Sequence, residues 1–413
     1  MYITGIVAEY NPFHNGHLYQ LNQSKKLTGS DFVIAVMSGD FTQRGTPSIA
    51  NKFIRTQMAL SSGIDMVLEL PVPYATASAE RFCEAAVSIF NKTGIVNALS
   101  FGSELGDISV LRDIATILSD ESPLLSQLIK ENLSKGHSFP RAREKAVIHL
   151  FSTLHPNIHL QEQVKVALGN PNNILGIEYL KALIKYNSKI LPITIKRKSS
   201  HYHDTQIHSS IASATAIRTQ LKDCTHESIK HCMPPESYHL LMQHAHYTPS
   251  LDDLNDFLHY KLIFSNKPDL YSLWDIPKDL ILSISKCFME KRHLSDILNE
   301  VTSKTYTRAT VQRALLRIIL NILQDDMDRL QDLAWIPYIR VLGCKKEATI
   351  LLSEMTKHAE VPILTNLGSS YASLTPEARL LLDYEVKAGN IYDYISKSPS
   401  AYNQDFTHAF TKL

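Results

Sequence analysis

Residues 1–21 read MYITGIVAEYNPFHNGHLYQL. The apolar run Tyr2–Ala8 predicts a strand. It breaks off at Glu9 into a turn rich in Asn, Pro and Gly, and the stretch Gly16–Leu27 then takes up a helical period. His14 and His17 flank Asn15-Gly16 where strand gives way to helix. Outward from this point the pattern repeats. Apolar runs recur at Phe32–Met37, Met66–Leu70 and Ala98–Phe101, with amphipathic stretches at Asn51–Ser61 and Ser78–Asn91 between them. Alternating strands and helices at this spacing predict βαβ units on a parallel sheet. The runs are apolar throughout rather than alternating, as in strands covered on both faces.

The chain has 413 residues, which predicts two domains or one core domain with a large appendage. Its formal net charge of +1 argues against a strongly basic, non-specific nucleic-acid binder and leaves room for a local basic patch. Five dispersed cysteines with no CxxC pair fit a reducing compartment. With neither a secretory leader pattern nor an apolar run long enough for a membrane span, a cytoplasmic protein is expected. Val110–Leu154 reads as a helical insertion at about 110–165, after which PNNILGIEYLKALIKY, ILPITIKRK and IASATAIRTQL return to helix, strand and helix. Ser213 is the expected N-cap of the last of these. Beyond Met233-Pro234-Pro235 the pattern is helical, so domains are expected at 1–233 and 234–413.

In an open parallel sheet, ligands bind beyond the carboxyl ends of the strands. NPFHNGH occupies that place after the first strand and opens a helix, whose free N–H groups and partial positive charge suit a phosphate. Gly16 lets backbone come close to a ligand. His14 and His17 can donate hydrogen bonds to phosphate oxygens or carry positive charge where negative charge builds up. An isolated HxxH is most often a solvated loop, but this one follows a first strand and contains Gly at a helix start. No GxGxxG follows that strand, which disfavours a dinucleotide-binding Rossmann domain. HNGH resembles the HxGH signature of the nucleotidyltransferase superfamily. IASATAIR, with Ser213, Thr215 and Arg218, resembles the ISSTxIR motif that closes over the triphosphate there.

Longer strings narrow the resemblance. GIVAEYNPFHNGHLYQL, VMSGDFTQRGTPSIANKFIR, ALSSGIDMVLELP, LSFGSE, NNILGIEYLKAL and SATAIR, in this order, resemble the bacterial tRNA(Met) cytidine acetate ligase family, as do YTRATVQRALLRIIL and PYIRVLG further on. The resemblance implies a Rossmann-like α/β nucleotidyltransferase domain followed by a mainly α-helical, tRNA-binding domain. It also implies an enzyme that activates acetate with ATP, releases pyrophosphate, and passes the acetyl group to N4 of the wobble cytidine of elongator tRNA(Met), with Mg2+ accompanying ATP. His14 and His17 are then the catalytic pair. The implied ATP site comprises Val7, Ala8, Glu9, Tyr10, Asn11, Pro12, Phe13, His14, Asn15, Gly16, His17, Leu18, Tyr19 and Gln20, with Gly102, Asn172, Arg197, Ser213, Thr215 and Arg218. Asn173 is an alternative to Asn172. Gln20 departs from the family's frequent LYH at this point. The residues on their own reach the adenylation step and no further. Adenylylation of a small phosphorylated metabolite, or RNA binding through a decayed nucleotide site, would share the N-terminal motifs.

Other side chains admit two roles. Asp40, Gln43 and Arg44 follow the second strand and could hold acetate or the cytosine edge, or form a polar loop. Lys52 and Arg55 could meet phosphate or sit on a solvated helix face, and Glu69 could orient a ligand or a neighbouring basic group, the structural role being the expected one. Arg308, Arg313 and Arg317 form a basic helical face, and Lys196 with Lys198 a second basic site; both are candidates for tRNA contact. His201, His203, His239, His244 and His246 show no zinc spacing, and no resident metal is expected.

Overall fold

The computed structural model describes residues 1–120, 122–137, 139–154, 158–197, 211–222, 226–244, 247–291, 293–397 and 402–413. Its centre is a parallel sheet of β1 (Ile3–Ala8), β2 (Phe32–Ser38), β3 (Met66–Leu70), β4 (Ala98–Ser103) and β5 (Leu191–Lys196), in the order β5-β4-β1-β2-β3. Ile34 and Val36 of β2 face one hydrophobic core, and Val33, Ala35 and Met37 face a second on the opposite side. Successive side chains of a strand point to opposite faces, so both faces must be covered, and the uninterrupted apolar runs follow from that. The helices Ala79–Thr93 and Pro171–Lys185 cover the first face. The second is covered by α1 (Asn15–Thr28) and α2 (Lys52–Ser61), with Ala214–Lys222 and Pro235–His244.

The chain steps from β1 to β2 to β3 on one side, then crosses back to place β4 on the other side of β1. The reversal leaves a crevice beyond the carboxyl ends of β1 and β4, the usual ligand position in open α/β sheets. The β4-to-β5 crossover carries the expected helical insertion, as Ile108–Ser119, Pro123–Ser134, Phe139–Leu154 and Ile158–Gly169.

The sheet does not stop at the proline pair. β6 (Ile339–Cys344) joins β3 antiparallel, and the short strands β7 (Ile363–Leu364) and β8 (Thr411–Lys412) pair with β6. One apolar cluster holds residues from both sides of position 234. The expectation of helices alone after residue 235 therefore gives way to a helical region that also completes the sheet.

A buried charge cluster fastens the late segment to the early one. Lys52, the first residue of α2, directs its ammonium to Glu69 at 2.8 Å, Asp405 at 2.6 Å and Glu385 at 3.1 Å. Arg340 of β6 reaches the same Glu69 at 2.8 Å and Asp405 at 2.5 Å. Burial opposes the charge on Lys52, but Asp405, Glu69 and Glu385 outweigh it and keep the amine protonated. Burial also disfavours the Asp405 carboxylate, yet Lys52 and Arg340 hold it down at about 2. Arg55 is equally buried and donates to the carbonyls of Ala50 at 2.9 Å, Glu9 at 2.5 Å and Ser38 at 3.1 Å, and to Gly39. Neither Lys52 nor Arg55 is a phosphate ligand or a solvated face, and Glu69 meets basic neighbours as expected. Removing one partner from a buried ion cluster leaves uncompensated charge. Lys52→Met should therefore lower unfolding free energy by about 3–5 kcal/mol, read as a drop in the urea midpoint.

Candidate active site

The site is built on the first turn of α1. His14 is its N-cap, with extended backbone at φ −137°, and its Nδ1 accepts the Gly16 N–H at 3.0 Å. His17 returns the contact, its Nδ1 accepting the His14 N–H at 3.2 Å. Two orphan donors of the helix start are thus satisfied reciprocally, the logic of a capping box with imidazoles in place of hydroxyl and carboxylate. A Cβ on Gly16 would lie 2.8 Å from His14 Cε1, so the ring leaves room only for glycine. The rings stack at 3.8 Å between centroids. Tyr10 and Phe13 stand against His17 at 5.0 and 5.5 Å.

A ring nitrogen that accepts a backbone N–H carries no proton, so each imidazole has its hydrogen on Nε2. Burial, then Arg197 and Arg218, push His14 down to about 3. Burial, His14 and Arg197 push His17 well below its ordinary value. Of the two roles open in the sequence, neutral donor and positive charge, the resting site holds the neutral donors.

The helix Ala214–Lys222 faces this turn. Ser213 Oγ accepts the Ala216 N–H at 3.0 Å, the expected N-cap. Arg218 donates to the Asn11 carbonyl at 2.7 Å and to Thr215 Oγ1 at 3.2 Å, tying one helix start to the other. Two helix N-termini thereby open on one cleft, an arrangement suited to anions. On the β4 side the cleft is bounded by Gly102, Asn172 and Arg197. A Cβ at Gly102 would come no closer than 3.4 Å to Arg197, an ordinary contact, so the surrounding packing alone does not require glycine there.

Glu104 binds both members of the Asn pair, accepting from the Asn172 amide and the Asn173 backbone N–H. Asn172 lines the cleft and donates to Glu104 Oε1 at 2.6 Å. Asn173 is fully buried, accepting the Leu105 N–H at 3.1 Å and donating to the Val166 carbonyl at 3.2 Å. Val7, Ala8, Glu9, Tyr10, Asn11, Gln20, Ser213, Thr215 and Arg218 join the histidines along the cleft. Gly16 and Tyr19 line a smaller adjoining cavity with Ile195 and Ile211. Pro12 and Phe13 are buried, Leu18 packs against the core, and the Asn15 amide donates to the His231 carbonyl at 2.9 Å.

Four lining residues carry no polar motif in the sequence: Phe82, Phe101, Leu175 and Tyr179. They come from helix and strand ends that only the fold brings together. Gln43 and Arg44 do reach the cleft. Asp40 does not, being buried with Oδ1 accepting the Lys52 N–H at 2.6 Å.

The basic candidates separate. Lys196 and Arg308 are exposed and Arg313 is half-buried, while Lys198, His201, His203 and His246 lie outside the described residues. Arg317 is corrected: it is buried, with its guanidinium 4.8 Å from the Trp274 ring centroid and 3.1 Å from Asp275. Its partners come from another segment and turn it inward, so it is no part of an exposed basic face. Among the described residues, no helix is long and apolar enough to cross a membrane, and no group of three His, Cys, Asp or Glu side chains could hold a metal ion.

Residues 1–407 match the family described as HIGH Nucleotidyl Transferase. A protein of Caldicellulosiruptor saccharolyticus named tRNA(Met) cytidine acetate ligase is 41% identical over 395 residues, 95% of this chain and 94% of its own. A protein of the same name from Caldanaerobacter subterraneus is 36% identical over 412 residues, 99% of each chain. The crystal structure of Thermotoga maritima TmcAL in an apo form superposes with a TM-score of 0.93 at 33% identity, covering 100% of both chains. The form of that protein bound with alpha-thio ATP gives 0.92 at 33% identity over 100% of both chains.

The imidazole cap makes stability depend on pH. Unfolded His14 takes up a proton near its ordinary value of 6.5, whereas the folded group does so only near 3. Between these values the unfolded chain binds more protons, so stability falls as pH falls through the window. Asn caps a helix as well as any residue and does not titrate. In thermal melts from neutral to acid pH, His14→Asn should lose less stability than the unaltered protein.

Proposed function

The chain belongs to the HIGH nucleotidyl transferase family, and within it to the tRNA(Met) cytidine acetate ligases, and from that premise we propose how its cleft performs two steps. In the first, an acetate oxygen attacks the α-phosphorus of ATP; the bond to the bridging oxygen breaks and pyrophosphate leaves. In the second, the acetyl group passes from acetyl-adenylate to N4 of the wobble cytidine of elongator tRNA(Met), giving N4-acetylcytidine and AMP.

The observation that carries this proposal is the reciprocal imidazole cap. It fixes two Nε2–H donors beside two helix N-termini. Preorganised donors aimed at developing negative charge need no rearrangement during the reaction. His14 and His17 serve the α-phosphate as it takes up charge. Ser213, Thr215 and Arg218 serve the departing β- and γ-phosphates, while Gly102, Asn172 and Arg197 border the nucleoside. The cleft offers a metal a single carboxylate among its described lining residues, Glu9. Mg2+ therefore fits this donor set as a companion of the triphosphate, held mainly by phosphate oxygens. Adenylylation of a small phosphorylated metabolite would use the same motifs. The ligase is favoured because relatives that match through the C-terminal region carry that name. Lys196, Arg308 and Arg313 supply phosphate contacts for the RNA.

His14→Asn keeps an acceptor for the Gly16 N–H and deletes one donor. Losing such a donor should slow acetate-dependent pyrophosphate exchange by about 10²–10³-fold; a full exchange rate would remove His14 from catalysis. Replacing Arg308 and Arg313 together by Gln should weaken tRNA binding and lower its salt slope by about 2, roughly one per phosphate contact.

A further inference from the structure

Glu9 is the one carboxylate among the described residues lining a cleft that must take a triphosphate and an acetate ion. A carboxylate there opposes anion binding unless it faces a donor. This one is held in place at both ends. Its carbonyl accepts from buried Arg55 at 2.5 Å, and its Oε1 accepts the Gln43 N–H at 2.8 Å. The Gln43 contact ties it to the loop that follows β2. Gly102 and Arg197 bound the cleft from β4 and β5, on the other side of β1. The crevice where strand order reverses lies between β1 and β4, which assigns the nucleoside to that side. Glu9 borders the opposite side, open to the group that attacks.

The other groups lining the cleft are poor proton acceptors. His14 and His17 use Nδ1 to accept backbone N–H groups and present Nε2–H. Burial pushes the Tyr10 and Tyr179 hydroxyls up, so they keep their protons. Arg44, Arg197 and Arg218 are cations, and the amides of Gln43 and Asn172 do not take protons. We propose that Glu9 receives the cytosine N4 amine, orients it by accepting one N4–H, and takes that proton during acetyl transfer. The assignment rests on the ligase activity proposed above. A carboxylate is the complementary partner for cytosine N4, and it would face the O4 acceptor of a uracil unfavourably. In the step, the N4 lone pair bonds to the acetyl carbonyl carbon, the carbon–oxygen bond to phosphate breaks, and AMP leaves with that electron pair. The N4 proton passes to the Glu9 carboxylate and from there to water.

The test is Glu9→Gln in the full chain, whose Gln Oε1 can still accept the Gln43 N–H. Acetyl-adenylate formation is read from acetate-dependent pyrophosphate exchange and from hydroxylamine trapping as acetohydroxamate, a nucleophile that needs no base. Transfer is read as single-turnover acetylation of tRNA. General bases contribute about 10²–10⁴-fold, and with an activated acyl donor the ratio of transfer to exchange should fall at least ~30-fold, with the KM for tRNA within about threefold. Unchanged transfer would overturn the proposal. So would transfer and exchange falling in step, which would make Glu9 a nucleotide residue, or a raised Mg2+ requirement for exchange, which would make it a metal ligand. If the unaltered protein gives neither exchange nor hydroxamate, the ligase activity itself fails, independently of Glu9.

Discussion

Two imidazoles close the first turn of α1, and the rest of the site is arranged around what that closure demands. The Nδ1 atoms are committed to the backbone, so the rings cannot turn without leaving helix donors orphaned. Stacked at 3.8 Å, two protonated rings would repel each other, and desolvation opposes charge on either. Neutrality of the pair and integrity of the turn are therefore one condition. The positive potential of the cleft must come from elsewhere. It comes from Arg197, from Arg218 and from two helix N-termini, while the imidazoles contribute direction rather than charge.

The loop facing this turn is held from the far end of the chain. Tyr392, on the helix Pro376–Ile395, donates to the Ser48 carbonyl at 3.0 Å, and Glu385 of the same helix accepts from Lys52 at 3.1 Å. A Cβ at Gly45 would fall 2.6 Å from the Arg313 nitrogen, and the φ of Gly45 is 74°, so close approach and backbone conformation both call for glycine where the loop meets the helix Arg308–Leu320. The C-terminal region thus shapes the cleft it adjoins. Gln43 and Arg44 reach the cleft because segments more than 250 residues later hold their loop in place.

Legibility in the sequence followed the range of the forces involved. Strands β1–β4 and their helices could be read because burial on both faces writes an apolar run into a few adjacent residues. Ser213 could be read as a cap because its partner is three residues away. The imidazole box was only half legible: HNGH marked the helix start, but the neutrality of the rings depends on burial and on Arg197 and Arg218, which arrive by tertiary packing. Lys52 and Arg55 read as phosphate contacts or a solvated face, and Arg317 as part of a basic face, because nothing local distinguishes a cation that faces water or ligand from one turned inward to Asp405, to the carbonyls of Glu9 and Ser38, or to Asp275 and Trp274. β6 was missed for a related reason. Six residues in a helical region become a strand because the β3 edge offers pairing partners. Phe82, Phe101, Leu175 and Tyr179 look like any core residues until the fold turns them toward one cleft.

The proposed reaction asks contrary things of neighbouring positions. Adenylation needs positive potential and donors around a triphosphate, whereas transfer needs a proton acceptor beside the same α-phosphate. Placed together, the acceptor would repel the nucleotide, or the cations would quench the acceptor. The sheet sets most of them apart. Arg197 follows β5 and Arg218 lies on the helix Ala214–Lys222, while Glu9 follows β1 and is anchored toward β2, where Arg44, next to its partner Gln43, is the one lining arginine on Glu9's own side among the described residues. Arg55, buried beneath, is bonded to the carbonyls of Glu9 and Ser38, so it positions the carboxylate through the backbone and leaves its oxygens unclaimed by a salt bridge of its own. One strand end can then border two steps of opposite polarity, provided that nucleotide and acceptor approach it from different sides.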